Sequence, residues 1–396
     1  MAAGASEQSP IMETKTAGPG AFAGFDLSRV PSPCFVVDEQ ALRQNLAKLA
    51  QIRQASGAHI YLALKAFSMF SVADIVMEYL DGTSASGLYE ARLGKRHFGG
   101  GIATFAPAFK ADEIDEICQL SDHILFNSLT QIEKFGAIAT RHDCEIGLRI
   151  NPEYRTGEIE KYDPCALGSR LGTPVSALTD GLPEEVVGLH MHSLCEQGFD
   201  ALQQTLSHLM PFLEKNASQL KWINLGGGHM LSARDYDADG LINLIKDIRQ
   251  RLNVEVYLEP GMAIAFDAGI LVGEVLDVME NDGPVAILDI SATCHMPDVL
   301  EAPYRPGLMQ EVADGVEVRF GGPSCLAGDV IGNYRLAALP QAGDRLAFLD
   351  QAHYSMVKTN SFNGVPLPAI ALWNSQTDIL RLIRQFSYDD FEMRLS

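Results

Sequence analysis

The chain has 396 residues, 47% of them apolar, and its 30 basic and 51 acidic residues give a net charge of −21. This length and apolar content are sufficient for a large core, either as two domains or as one barrel with an additional domain. The acidic balance argues against a surface that binds nucleic acid, and no apolar run reaches the roughly 18 to 20 residues that cross a bilayer. The negative net charge would suit a cationic ligand, although solubility alone accounts for many such charges.

The first 25 residues are rich in Ala, Gly, Ser and Thr, which predicts a flexible tail. They lack the basic start and continuous apolar centre of a secretion signal. The 7 cysteines are scattered and none forms a C-x-x-C pair. An odd, dispersed set indicates reduced thiols and argues against a disulfide framework or a zinc site, so we expect a cytoplasmic protein without a metal.

From Asp38 onward, short apolar strands alternate with amphipathic helices. Asp38 can cap a helix in which Leu42, Leu46 and Leu49 recur on one face, and Gly57 stands where this helix should end. Strands are predicted at 60–64, 83–85, 102–105, 122–126, 145–149, 187–191, 222–225 and 255–258, and helices at 87–97, 111–119, 128–139, 199–214 and 238–251. Successive strand–helix units of this kind predict a parallel (β/α)8 barrel over 26–268, rather than an open doubly wound sheet.

The remaining residues, 269–396, predict a second, β-rich domain. Strand-like segments there are separated by Gly, Pro and Asp rather than by long helices, and they cover 270–279, 285–290, 315–320, 345–349 and 353–357. The segment 30–37 is also strand-like and precedes the barrel, so we expect it to join this domain. A helix around 376–386 is predicted to close the chain.

The apolar run from Tyr61 to Leu64 ends on Lys65. Because burying an unpaired ammonium is costly, such a lysine serves chemistry, has a charge partner, or extends its amine to water. A desolvated lysine also has a lowered pKa, which is what a Schiff-base amine requires.

Other polar groups lie at the carboxyl ends of the predicted barrel strands, where catalytic residues of such barrels are found: Arg149, His190, His192, Gly226, Gly227, Gly228 and Glu259. Successive glycine amides can close on a phosphate, although glycine-rich turns are common. The two histidines are compatible with a hydrogen-bonded core, a metal pair or stacking on an aromatic cofactor. Glu259 could form a salt bridge at the rim or keep a pyridine nitrogen protonated. Taken together with Lys65, these groups indicate pyridoxal 5′-phosphate.

The chain from about Pro31 resembles the pyridoxal-phosphate decarboxylases of the alanine-racemase fold, which include ornithine and diaminopimelate decarboxylases. The resemblance rests on LALKAF at 62–67, SGLYEARLG at 86–94, HSLCE at 192–196, LGGGH at 225–229 and HMPDVLEAPYRP at 295–306. The last motif is similar to the branch that converts carboxynorspermidine or carboxyspermidine to norspermidine or spermidine and CO2. This reaction, a step of polyamine biosynthesis, is what the resemblance implies.

The resemblance also implies roles for single residues. Lys65 would form the Schiff base, His192 would stack on the ring, the three glycines would hold the phosphate, Glu259 would pair with the ring nitrogen, and Arg149 would lie near the cofactor. Cys325, in the sequence GPSC at 322–325, would enter the active site of the partner subunit in a homodimer, and it or a water would return a proton. Tyr354 would touch the phosphate.

The substrate is expected to contact His190, Asp298, Glu301, Tyr304, Arg305 and Cys325. Asp298 and Glu301 could instead be solvated acids, Tyr304 and Arg305 could form a structural corner, and Cys325 could be a buried small hydrophobe. Two departures from ornithine-type enzymes are Met262, where they carry arginine, and Cys195, where they carry serine. These departures also disfavour the first alternative, diaminopimelate decarboxylase, whose substrate has a distal carboxylate that needs an arginine. A non-catalytic binding protein is the second alternative, and retention of Lys65 and Cys325 argues against it.

Overall fold

The computed structural model describes residues 12–13, 16–157 and 160–396. The chain divides into two compact units: Arg43–Ile264, and Met1–Leu42 together with Ala265–Ser396. The first unit is a barrel and the second is built around a mixed β-sheet.

The barrel contains eight parallel strands in chain order, each paired with the next, and the last strand pairs with the first. They are β2 His59–Ala63, β3 Gly82–Ala85, β4 Gly101–Phe105, β5 His123–Phe126, β6 Glu145–Asn151, β7 Val186–His190, β8 Trp222–Asn224 and β9 Glu255–Leu258. All eight correspond to predicted strands, and the predicted (β/α)8 barrel is confirmed.

Six of the described helices of the barrel unit lie where the apolar periodicity predicts them, and a seventh, the short helix Ala73–Met77, is absent from the sequence-based prediction. These seven are α1 Glu39–Ser56, α2 Ala73–Met77, α3 Leu88–Leu93, α4 Ile114–Leu120, α5 Leu129–Arg141, α6 Phe199–Asn216 and α7 Ala238–Leu252. The later helices are short: α8 Met262–Ala265, α9 Ala292–His295, α10 Asp298–Glu301, α11 Ser355–Lys358 and α12 Tyr388–Glu392. Helix α1 buries Leu42, Leu46 and Leu49 completely and is followed by Gly57 with φ of +74°, the left-handed position that terminates many helices.

Aromatic side chains fill the barrel at the amino-terminal ends of its strands. Trp222 stacks on His123 with 4.4 Å between ring centroids and donates its indole N–H to Glu145 over 2.7 Å. Gly147 and Gly188 leave room for this ring, since a Cβ at either position would lie 2.4 or 2.2 Å from it. This layer occupies the amino-terminal end of the barrel, and active sites of such barrels lie at the opposite, carboxyl-terminal end.

The second unit contains a sheet in which β1, Cys34–Asp38, is a central strand. The other strands are β10 Gly269–Glu280, β11 Pro284–Leu288, β12 Val316–Gly321, β13 Val330–Leu336, β14 Arg345–Leu349, β15 Ala369–Asn374 and β16 Ile379–Arg384. Strand β1 pairs antiparallel with β10 and parallel with β15. The early strand therefore belongs to the β-rich unit, as its position before the barrel suggests.

Two predicted elements of this unit are wrong. Residues 353–357 are not a strand, because Ser355–Lys358 forms the short helix α11. The predicted helix at 376–386 is strand β16, which pairs antiparallel with β15 after a turn in which Asp378 has φ of 57°. Its apolar residues recur at helical spacing, but pairing along β15 determines the conformation. The terminal helix, α12, is Tyr388–Glu392, and strands β13, β15 and β16 are absent from the sequence-based prediction.

The prediction of a flexible tail through residue 25 is wrong for residues 16–25. A 3₁₀ turn spans Gly20–Gly24, and the rings of Phe22 and Phe25 are buried 5.3 and 4.9 Å from Trp373. Two aromatic side chains thus anchor a segment of low overall hydrophobicity. The rest of the predicted tail, 1–11 and 14–15, lies outside the described residues. No described helix combines the length and apolar character needed to span a membrane.

Candidate active site

A cavity at the carboxyl-terminal end of the barrel collects most of the predicted barrel residues. Its lining includes Lys65, Arg149, His190, His192 and Glu259. These residues come from four different strands or the turns after them. Strand-end placement thus brings together groups that are almost 200 residues apart, which is the arrangement expected of a barrel active site.

Lys65 lies two residues after the end of β2, and its pKa is lowered. The first cause is the protein packed around it, and the second is the positive charge of Arg149; Glu259 opposes both. The side chain nevertheless retains accessible surface in the cavity. Lys65 is therefore an amine that a small molecule can reach and that loses its proton more readily than a surface lysine.

Glu259 is a buried carboxylate held by two side chains. Asn224 donates its Nδ2–H to Oε1 over 2.8 Å, and His190 Nε2 lies 3.3 Å from Oε2. Burial by itself would raise the pKa of Glu259, but His190, Asn224 and Lys65 together lower it to about 2. A carboxylate accepts up to about four hydrogen bonds, so this anion retains capacity for a ligand donor.

His190 is fully buried and stacks on Phe105, with 5.6 Å between the ring centroids. Burial lowers the pKa of His190, although the adjacent Glu259 opposes this, so the ring is neutral near pH 7. Its Nδ1 has no hydrogen-bond partner among the described residues. An unsatisfied buried nitrogen facing a cavity marks a place for a ligand or an ordered water.

The glycine loop after β8 is packed against the barrel backbone. The Gly226 N–H donates to Asn224 Oδ1 over 2.8 Å, and the Gly227 N–H donates to His192 Nδ1 over 3.0 Å. A Cβ at Gly226 or Gly228 would lie 2.3 or 2.0 Å from a backbone oxygen, and both residues have positive φ. Close packing thus explains these glycines without a phosphate. Of the three amides, only that of Gly228 has no acceptor within the described part of the chain.

Arg149 lies inside β6 and is buried, with its guanidinium carbon 4.4 Å from the centre of the Phe105 ring. It donates from Nη2 to the carbonyl of His192 over 3.2 Å. Burial lowers the pKa of Arg149 to about 10, so it remains a cation at neutral pH. The site therefore holds a fixed positive charge as well as the negative charge of Glu259.

Two residues of this site are missed by the sequence analysis. Asn224 connects the Glu259 carboxylate with the glycine loop, and Phe105 supports both His190 and Arg149. Asn224 is a polar residue at the end of a short apolar strand, two residues before the first of three glycines, a signal that was available. Phe105 gives no such signal, because an aromatic residue at the end of a buried strand is ordinary core.

The remaining predicted residues lie in the β-rich unit. Cys325 is exposed, which excludes the buried-hydrophobe alternative. Its backbone N–H donates to Asn363 Oδ1 over 2.8 Å. The preceding Ser324 donates its hydroxyl to the buried carboxylate of Asp329 over 2.6 Å, and Ser291 donates to the same oxygen over 2.8 Å. The backbone around the thiol is thus fixed while the side chain is accessible.

Asp298 and Glu301 lie one turn apart in helix α10, Asp298–Glu301, and neither is simply solvated. Lys358 donates to Asp298 over 2.5 Å and to Glu301 over 2.6 Å. Although burial lowers the pKa of Lys358, these two bonds raise it overall. Asp298 and Glu301 therefore form a pair of adjacent acids, as a substrate-binding role would require. Lys358 already contacts both carboxylates, which the sequence analysis did not predict.

The structure supports the structural alternative for Arg305. Its guanidinium contacts Glu311, donates to the carbonyl of Asn333 and lies 4.0 Å from the centre of the Tyr334 ring. The hydroxyl of Tyr304 accepts from Gln351 over 3.3 Å, and burial raises the pKa of Tyr304 to about 12. Tyr354 stands immediately before α11 with a left-handed backbone, φ 47°.

Comparisons with known proteins agree with this geometry. Residues 34–352 match a family model described as pyridoxal-dependent decarboxylase, C-terminal sheet domain. The chain is 40% identical to a carboxynorspermidine/carboxyspermidine decarboxylase from Campylobacter jejuni over 92% of this chain and 99% of that protein. It is 41% identical to a carboxyaminopropylagmatine decarboxylase from Synechocystis over 93% of this chain and 96% of that protein. The crystal structure of a carboxynorspermidine decarboxylase from Campylobacter jejuni complexed with norspermidine superposes with a TM-score of 0.85 at 38% identity, covering 92% of this chain and 100% of that one.

Proposed function

Because the chain belongs to the pyridoxal-dependent decarboxylases, we propose that it removes CO2 from a carboxylated polyamine. The chain is an enzyme of polyamine biosynthesis, a carboxy-lyase that uses pyridoxal 5′-phosphate. The observation that carries the assignment is the meeting of Lys65, Arg149 and Glu259 in one barrel cavity, in a chain that matches decarboxylases along almost its whole length.

The residues present fit this cofactor. Its aldehyde requires an amine of lowered pKa, which is Lys65, and its ring nitrogen requires a carboxylate that stays ionised, which is Glu259. Arg149 and the Gly228 amide supply a cation and a hydrogen-bond donor for a phosphate. Because the amides of Gly226 and Gly227 already donate to Asn224 and His192, the Gly228 amide is the loop amide that would be available to hold a phosphate.

When bound, the cofactor supplies an electron sink that stabilises negative charge on the carbon losing CO2. The chain's own residues prepare the site for it. Lys65 provides an amine with a lowered pKa, and Asn224 keeps Glu259 oriented and ionised. His192 is half-buried, and its pKa is well below the ordinary value, first because the protein packed around it disfavours the charged form and next because of Lys65, so it presents a neutral ring to the cavity.

Cys325 is the proposed proton donor after CO2 leaves. When the C–C bond to the carboxylate breaks, its electron pair stays with the substrate carbon. That carbon then takes a proton from the Cys325 thiol, and the resulting thiolate takes a proton from water. Cys325 is exposed in the single chain. Two apolar residues nearby are also exposed: Leu326, which follows Cys325, and Phe362, which precedes Asn363. We therefore propose that this surface contacts a second copy of the chain. The functional form is then a homodimer with shared active sites.

The substrate is proposed from the relatives' names. One class is carboxynorspermidine or carboxyspermidine, which differ by one methylene, a difference worth about 1 to 3 kcal/mol in an apolar slot. The second candidate is carboxyaminopropylagmatine, which a relative of 41% identity over nearly equal coverage supports. Both candidates are cationic, in keeping with the acidic pair Asp298 and Glu301 and the net charge of −21.

The test is a competition assay with purified enzyme and added pyridoxal phosphate. Each of the three carboxylated polyamines and diaminopimelate is supplied, and CO2 and the amine product are both measured. One of the three should give the highest kcat/KM, and Lys65→Ala should abolish turnover on it. Faster turnover of diaminopimelate than of all three polyamines would overturn the proposed substrate class.

A further inference from the structure

The loop that presents Cys325 is held at two consecutive residues. The Ser324 hydroxyl donates to Asp329 over 2.6 Å, and the Cys325 N–H donates to Asn363 Oδ1 over 2.8 Å. Asp329 is buried and lies within the same loop, whereas Asn363 comes from a segment 38 residues farther along the chain. The Asn363 bond ties Cys325 itself directly to that later segment, whereas Ser324 is tied to other parts of the unit only through Asp329, which also accepts from Ser291.

Asn363 is itself held in an unusual conformation. Its backbone has φ of 59° and ψ of 13°, in the left-handed region that asparagine tolerates better than most residues. The segment before it is anchored by Asn360, which donates from Nδ2 to the carbonyl of Thr293 over 2.9 Å. Thr293 in turn donates its N–H to Asp329 over 3.2 Å. The two anchors of the cysteine loop thus belong to one connected network.

We propose that Asn363 is a positioning residue that aims the Cys325 thiol by accepting the hydrogen bond from the Cys325 backbone. This rests on the proposed role of Cys325 as proton donor. A proton must be delivered to one carbon, and effective delivery requires the donor to be within hydrogen-bond reach. Fixing the Cα of Cys325 leaves only its side-chain torsion free, so the thiol samples a small region while remaining exposed.

Because Asn363 has a left-handed backbone, substitutions there can distinguish the effect of its hydrogen bond to Cys325 from the effect of its backbone conformation. Asn363→Gly keeps the backbone geometry and removes the acceptor, because glycine adopts positive φ without penalty. Asn363→Asp keeps both the acceptor and much of the tolerance for this geometry, and Asn363→Ala loses both. Asn253→Gly is the matched control, since Asn253 has φ of 54° at the end of α7 in the barrel unit.

The first measurement is amide hydrogen exchange of the peptide covering residues 322–329. We expect exchange at Cys325 to become about two- to tenfold faster in Asn363→Gly and Asn363→Ala, the range for one neutral hydrogen bond, and to stay unchanged in Asn363→Asp and Asn253→Gly. Exchange in Asn363→Gly equal to the parent protein would overturn the proposal. So would a change confined to Asn363→Ala, since backbone strain alone would then explain it.

The second measurement is kinetic. With the carboxylated polyamine that gives the highest kcat/KM, Asn363→Gly should lower kcat about two- to tenfold at unchanged KM. It should also reduce the amount of amine formed per CO2 released. Asn363→Asp should show the parent values of both kcat and this ratio. An amine-to-CO2 ratio of one in Asn363→Gly would overturn the role in proton delivery. If the parent enzyme releases no CO2 from any of the polyamines, the proposed function fails instead, and hydrogen exchange still decides whether Asn363 holds the loop.

Discussion

Lys65 shares its cavity with one positive and one negative group, and their balance determines how readily its amine loses a proton. Burial lowers the pKa of Lys65 more than any other cause, Arg149 lowers it further, and Glu259 raises it. Arg149 is in turn stabilised on Phe105 and at the His192 carbonyl, so the balance depends on side chains from several strands. A chemically ordinary lysine becomes a reactive amine through its neighbours.

Arg149→Met is expected to raise the pKa of Lys65, because it removes a cation that disfavours the ammonium form. A smaller fraction of the amine is then neutral at a given pH, so labelling of Lys65 by an amine-reactive reagent should reach its midpoint at higher pH. The measurement is peptide mapping of the cofactor-free protein across a pH series. Lys110, exposed and paired with Glu113, is the internal control whose midpoint should not move. An unchanged or lower midpoint for Lys65 would contradict the assignment.

Glu259→Gln is expected to retain the cofactor and lose turnover. Glutamine can still accept from Asn224, but it carries no negative charge to stabilise a protonated ring nitrogen. We expect kcat to fall about 100-fold or more, as when an electrostatic contact to developing charge is removed. Since the pKa of Glu259 is about 2, the parent enzyme should show no carboxylate titration from this group above pH 4. A near-normal kcat with bound cofactor would make Glu259 a structural residue.

Short helices organise the β-rich unit. Helix α10 places Asp298 and Glu301 on one face, and α11 reaches them through Lys358 at its end while Tyr354 precedes its start. One element thus connects the proposed cofactor contact with the proposed substrate acids. The pair and Lys358 together have a formal net charge of −1.

Asp298→Asn and Glu301→Gln are each expected to raise KM for the carboxylated polyamine. Each change removes a charge-assisted contact worth about 1.5 to 3 kcal/mol, equivalent to roughly 10- to 150-fold. Cofactor affinity should be unchanged, and the exposed Glu317→Gln should serve as the neutral control. Steady-state kinetics and a cofactor titration measure both quantities. If both acids can be neutralised with KM intact, their purpose is to hold Lys358.

At the scale of the whole molecule, the proposed chemistry is divided between two units. The amine and carboxylate belong to the barrel, and the proposed proton donor belongs to the β-rich unit. A homodimer in which each site takes Cys325 from the partner would use this division, and the exposed residues Leu326 and Phe362 support such a contact.

Mixing Lys65→Ala with Cys325→Ala is expected to restore activity that neither variant has alone. With random exchange, about half of the dimers are mixed, and each has one intact site, so recovery is limited to roughly a quarter of the parent activity. The measurement is CO2 release after subunit exchange, followed independently with differently tagged chains. Absence of recovery after proven exchange would place both residues of a site in one chain.

The pattern of residues by itself predicted the barrel and the cofactor, and the resemblance of the sequence motifs to a known family implied the reaction class. Strand periodicity is local, and Lys65, the glycine loop and Glu259 each follow a strand whose apolar pattern is plain. What the tertiary structure decided are contacts between distant residues. The strand β16 follows its partner β15 rather than its own helical spacing, and Asn224 matters only because Glu259 is beside it. Lys358 meets Asp298 and Glu301 across some 60 positions, and Asn363 meets Cys325 across 38, because pairing at such separations depends on packing rather than on local pattern.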